Sequence, residues 1–251
     1  VYDDWREPYL SPHDEIPDLA GRLTHLVYVG GRLVDTWHER AAETRWASYV
    51  ERPAAPPAPP PPAPHVRVLD WLADVCGGAA AVAALHTEPL SDEPVPVPAP
   101  GAAAEERLSA TADLTDLVAD RWFDDETALA FRAALRLLWV EEPATVERAT
   151  TPAHLAAGIC WAVGKANGLF APVGACRVGA IHGTLALPGT PSAKGNEVAG
   201  ALRGFRGFRI DRWGRPHGVP DLLVLGRPEL LVSTTREQLV RLRGKAQAAA
   251  A

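Results

Sequence analysis

Two proline-rich runs limit what this chain can fold into more than any other feature. PAAPPAPPPPAP at 53–64 and EPVPVPAPG at 93–101 lack many of the backbone N–H groups that a helix or an interior strand needs. Their rings also fix φ, so both runs are expected as extended, polyproline-like chain. They divide the sequence into a hairpin segment at 1–50, a linker at 51–65, a helical segment at 66–92, a second linker at 93–104 and a helical domain at 105–251. An SH3-like partner could bind the first run, but its position between two structured blocks reads better as a spacer.

In the first block, THLVYV and RLVDTWH flank Gly30-Gly31. Such a pair supplies the positive φ of a tight two-residue turn, which predicts a β-hairpin. In 66–86, Val68, Leu72, Val75, Ala79, Val82 and Leu85 recur at helical spacing, with Gly77-Gly78 placed to break or kink the helix.

Beyond the second linker the pattern is helical throughout. Leu114, Leu117 and Val118 mark one helix, and Ala128, Phe131, Leu135, Leu138 and Trp139 mark the next, with Asp124 or Asp125 as its cap and Pro143 as its end. Thr151-Pro152 is a start signal, since Thr caps and Pro fits the first turn. The helix that follows is apolar almost all round. Its small residues Ala156, Ala157 and Gly158 would let a neighbouring helix approach closely, so it is expected at the centre of the domain.

Segments 178–187 and 191–204, joined through Pro188-Gly189-Thr190, have the spacing of a helix-turn-helix. The second would bury Val198, Ala201 and Leu202 and present Ser192, Lys194, Asn196 and Arg203 to a groove. Gly195 and Gly200 weaken that helix by roughly 1 kcal/mol each relative to Ala. Thr234 and Glu237 form a capping-box pattern at the start of a last helix, whose end carries Arg241, Arg243 and Lys245.

Charge is distributed unevenly. Residues 1–150 hold 12 Lys+Arg against 26 Asp+Glu, a net of -14, whereas 151–251 hold 13 against 5, a net of +8. A basic half points to a polyanionic partner, to an acidic protein partner, or to masking by the chain's own acidic half. The basic half also contains GFRGFRIDRWGR, in which Arg203, Arg206, Arg209, Arg212 and Arg215 stand three residues apart among Phe205, Phe208 and Trp213. Guanidinium groups neutralise phosphates and aromatic faces accept stacked bases, so the segment suits a nucleic-acid contact. Period three matches neither a strand nor one helix face, and Gly204, Gly207 and Gly214 predict a loop or irregular hairpin.

Other functions lack their motifs. The nearest approach to a phosphate loop, Gly158 to Gly164-Lys165-Ala166, has one residue too many and no hydroxyl for magnesium. His86-Thr87-Glu88 has no P-C-x-x-C to complete a zinc site. Asp124-Asp125-Glu126 could contribute to a metal cluster, but acids at a helix start are accounted for by capping. His154, His182 and His217 have no partner spacing. No catalytic residue, metal site or cofactor is therefore expected, and a non-enzymatic role is favoured. Cys76, Cys160 and Cys176 read as buried free thiols. No apolar run is long enough to cross a membrane, and the N-terminal residues do not resemble a signal peptide. A cytoplasmic location is the expectation, and 22 Arg against 3 Lys with abundant Ala and Pro fits a GC-rich bacterial genome.

DLTDLVADRWFDDETALAFRAALRLL, TPAHLAAGICWAVGKANGLF and SAKGNEVAGAL together resemble an uncharacterised bacterial helical domain of unknown function. That domain is itself similar to the cyclin-like, helix-turn-helix repeats of transcription factor IIB. The resemblance spans about 108–204, and its most specific part is AAGICWAVGKANGLF at 156–170, a small-residue helix ending in an Asn and an apolar pair. It implies a mainly α, multi-helix cyclin-like bundle closing in a helix-turn-helix-like pair, with Lys194, Asn196 and Arg203 on the exposed part of the second helix. The chain is richer in glycine through 174–207 than the family pattern. The expected function is nucleic-acid binding, in the manner of a transcriptional regulator, through Lys194, Asn196, Arg203, Arg206, Arg209, Arg212, Trp213 and Arg215. The alternative is a non-catalytic module that grips a protein partner with its helical surface.

Overall fold

In the computed structural model, the described residues are 21–50, 60–92, 98–174, 176–189, 192–203 and 214–250. The chain is mainly helical with one small antiparallel hairpin, and it divides into two units, Val1–Pro60 and Pro61–Ala251.

The first unit contains β1 (Arg22–Val29) and β2 (Arg32–Arg40), followed by the short α1 (Ala47–Val50). Gly30 and Gly31 turn the hairpin at φ +59° and +80°, the left-handed values that a two-residue turn requires at both positions. Val27 pairs with Asp35 but Tyr28 pairs with Leu33, so Val34 is an extra residue that bulges β2. On one face the His25 ring stacks on Trp37 with centroids 4.7 Å apart, and His25 Nε2 meets Glu39 Oε1 at 2.5 Å.

The second unit begins with α2 (Pro64–Cys76) and α3 (Ala79–Ala84). Pro64 occupies the first turn of α2, and Gly77 at φ +83° stops it. The glycine pair thus breaks the helix outright. A Cβ on Gly77 would lie 2.5 Å from the Gly226 carbonyl oxygen, so close backbone approach adds to the conformational requirement. α4 (Ala102–Trp122) and α5 (Asp125–Glu141) follow. Asp124 caps α5 by accepting from Thr127 N at 2.8 Å. Pro143 opens the short α6 (Pro143–Glu147), where its missing N–H costs nothing.

α7 (Pro152–Ala166) is the centre of the unit, with every residue from Leu155 to Gly164 buried. Thr151 caps it through His154 N at 3.2 Å. α4, α5 and α9 (Ser192–Leu202) all pack against it, and α8 (Val178–Thr184) also touches it. α10 (Ser233–Ala248) packs on α2, so the helices on both sides of the second proline-rich run share one core, from Leu72 and Val75 to Phe131, Ile159 and Leu239. Each such fully buried aliphatic or aromatic side chain contributes about 1.5–3 kcal/mol relative to exposure.

The expected capping box of α10 does not form. Its first-turn donors, Ser233 N and Oγ, instead reach the Glu126 carboxylate of α5 at 2.8 and 2.6 Å, while Glu237 Oε2 accepts from Arg241 at 3.0 Å. A carboxylate delivered by tertiary packing serves the helix N-terminus as well as a local one, and the dipole favours it equally. The three cysteines are buried and unpaired, as expected. Burial pushes the Cys76 thiol up to about 11 and raises those of Cys160 and Cys176.

Candidate nucleic-acid interface

α9 is held in place by reciprocal contacts between small and large residues. Gly158 of α7 faces α9 so closely that a Cβ there would sit 2.9 Å from Val198 Cγ2 and 3.2 Å from the Lys194 carbonyl oxygen. In return Gly195 of α9 faces the indole of Trp161, where a Cβ would lie 2.4 Å from Cε3. The glycine that weakens α9 locally is what lets Trp161 seat. Gly195, Val198, Ala199 and Leu202 form the buried side, with Ala201 half-buried. Ala193, Asn196, Glu197 and Gly200 remain exposed.

The end of the central helix is tied to the chain leading into α10. Asn167, buried just after α7, donates its amide to the carbonyls of Val163 at 3.0 Å and Leu230 at 2.8 Å and accepts from Val232 N at 2.8 Å. All three bonds lie in the core, where unpaired groups are costly. Asn167 therefore splices the end of α7 to the chain leading into α10. On the two sides of residues 204–213, Arg227 Nε donates to the Leu202 carbonyl at 2.9 Å, closing the C-terminus of α9, and Arg67 of α2 donates to the Gly214 carbonyl at 2.7 Å.

The site residues expected from the sequence are distributed as follows. Asn196 is exposed on α9. Lys194, with 15% of its side chain exposed, runs its stem along Gly158 and gives Nζ to Glu197 at 2.8 Å. Arg203 is half-buried at the end of α9 and its Nε is shielded from solvent. Arg215, 48% exposed, pairs with Asp221. Arg206, Arg209, Arg212 and Trp213 lie outside the described residues. α8 and α9 are joined by residues 185–191, and the dense packing of α9 is against α7.

Asp116, Glu126 and Glu141 of α4 and α5 have their own cationic partners. Asp116 takes a two-pronged bond from Arg132, with Nε and Nη2 at 2.9 and 2.7 Å, and Glu141 pairs with Arg227. Glu126 accepts from Leu90 N at 2.9 Å and Arg236 Nη2 at 3.1 Å in addition to Ser233. Burial by itself would raise its pKa, but the hydrogen bonds from Ser233, Leu90 and Arg236 prevail and hold it below the ordinary carboxylate value. By its neighbours in the chain Glu126 is a helix-start acid; its long-range role has no local signal. Among the described residues no group of His, Cys, Asp and Glu side chains is arranged to hold a metal ion, and no helix is long and apolar enough to cross a membrane.

Comparisons of the chain with family models, with curated proteins and with solved structures return no match.

Proposed function

We propose that the protein binds nucleic acid through the exposed side of α9 and the arginine-rich segment that follows it, in the manner of a transcriptional regulator. The observation that carries this reading is the bracketing of that segment. It leaves the C-terminus of α9 where Arg227 closes the helix, and it returns at Gly214, which α2 holds through Arg67. Three arginines and a tryptophan, Arg206, Arg209, Arg212 and Trp213, are thus supplied between two points fixed to the same folded unit. The net charge of +8 over 151–251 supports it. So does the resemblance to cyclin-like repeats. Asn196 is the exposed side chain on α9 suited to a base edge, and arginines suit phosphates. Glu197 lies on the same side, so phosphates would be met from the arginine end of the helix.

Binding of the full chain to duplex and to single-stranded DNA, measured against salt, tests the proposal. Affinity should fall steeply with salt, and Arg206→Gln, Arg209→Gln and Arg212→Gln together should flatten the log-log slope by about 0.9 for each phosphate that is no longer neutralised. Affinity independent of salt, or unchanged in the triple variant, would remove the proposal and leave the protein-partner alternative.

A further inference from the structure

A groove of ≈ 640 Å³ opens beside α5, and none of the described residues that line it belongs to α9 or to 214–215. Its floor is the stripe Leu129, Ala133, Leu137 and Val140, successive positions on one side of α5 that extend about 16 Å along the helix. Leu85 at the end of α3, Leu90 from the loop that follows it and Pro228 at the start of a short 3-10 turn (Pro228–Leu230) add to the walls. The size and apolar character suit a small molecule, and such sites usually carry a few polar groups that orient the ligand.

Four charged or titratable side chains line the groove, and they differ in how closely they are paired and how exposed they are. Arg236, with 5% of its side chain exposed, is paired with Glu126 at 3.1 Å; Glu229 approaches Arg227 at 3.5 Å; His86, at the exposed rim, approaches Glu88 at 3.8 Å. Arg136 differs. Among the described residues its acidic partner is Asp92 at 3.7 Å, beyond hydrogen-bond distance, and its buried Nε has no acceptor. The Nε of Arg236 is likewise buried without an acceptor. A guanidinium partly stripped of water, next to an apolar cavity and poorly compensated, gains from an anion more than an exposed one would.

We propose that this groove binds a small apolar carboxylate, with its hydrocarbon along the α5 stripe and its carboxylate on the outer nitrogens of Arg136. An uncharged amphiphile would leave Arg136 with the long ion pair to Asp92 as its compensation among the described residues, and a cationic one would be repelled by the guanidinium. The site is independent of the nucleic-acid reading, since it shares no described lining residue with that surface.

Calorimetric titration of the full chain with monomeric dodecanoate, 1-dodecanol and dodecyltrimethylammonium tests the inference. Dodecanoate should bind with one-to-one stoichiometry, and the alcohol and the cation should bind roughly 10-fold to 100-fold more weakly. Arg136→Gln should reduce dodecanoate affinity by the same factor without changing that of the alcohol, and Arg136→Lys should retain part of it. Ala133→Phe, which fills the groove from its floor, should abolish binding of all three, with the circular dichroism of each variant confirming its fold. Equal binding of dodecanoate and dodecanol, no effect of Arg136→Gln in a folded variant, or no binding of dodecanoate would each overturn the proposal.

Discussion

Gly195→Ala opposes two effects of known sign in one residue. On helix propensity alone the change should stabilise α9 by up to about 1 kcal/mol, because alanine loses less backbone entropy than glycine. The packing argues the other way. The new methyl carbon would stand 2.4, 2.5 and 2.9 Å from Cε3, Cδ2 and Cγ of Trp161, all inside van der Waals contact. Trp161 is 7% exposed on the central helix, so the indole has no solvent-side space to enter, and α9 must withdraw from α7. Overpacking of this kind costs typically about 1–3 kcal/mol. A net destabilisation of up to about 2 kcal/mol is expected once the propensity gain of about 1 kcal/mol is subtracted. Gly200 is the control, since it lies in the same helix and a methyl group there would meet nothing within 4 Å. Gly200→Ala should therefore be neutral or stabilising, by up to about 1 kcal/mol. Urea denaturation of both variants followed by far-ultraviolet circular dichroism measures the difference. Pairing Gly195→Ala with Trp161→Leu should recover part of the loss, because the smaller side chain vacates the space. The reasoning fails if Gly195→Ala matches or exceeds the wild type, or if Gly200→Ala is the more damaging change.

Glu126→Gln should destabilise the fold by about 2–4 kcal/mol, since it removes the charge opposite the buried Arg236 and weakens the bonds to Ser233 and Leu90. The folded carboxyl is held below its ordinary value of 4.5, so its contribution is complete above that pH and is lost as pH falls through the lower folded value. Denaturation midpoints of wild type and Glu126→Gln should accordingly differ most at neutral pH and converge as pH falls through that lower value. Asn167→Ala should cost about 2–4 kcal/mol, because the Leu230 carbonyl and Val232 N–H lose their partner in the core. Amide exchange in that variant should show Val232 exposed well before the interiors of α7 and α10.

The parts of the structure that were legible in the sequence are those set by neighbours in the chain. Gly30-Gly31 carried its turn, Thr151-Pro152 its helix start and Asp124 its cap, because each of these acts within a few residues. The nearly uniform apolar surface of 155–164 also identified the central helix, since a segment with almost no polar side must be largely surrounded. Of the proposed interface, the sequence supplied the arginine spacing and the exposed position of Asn196 on the outer side of α9.

Distance along the chain hid the rest. The α10 start looked self-sufficient with Thr234 and Glu237, yet its first-turn donors are served by Glu126, 107 residues earlier. Gly195 looked like a flaw in α9 until Trp161 occupied the space its missing side chain leaves. Lys194 looked available to a groove, but packing lays its stem on Gly158 and aims its charge at Glu197. Local signals determined where helices begin, turn and end, because capping and backbone preference act over one or two turns. The tertiary structure alone decided which carboxylate meets which donor and which glycine admits which ring, because those partners meet only after the helices have packed.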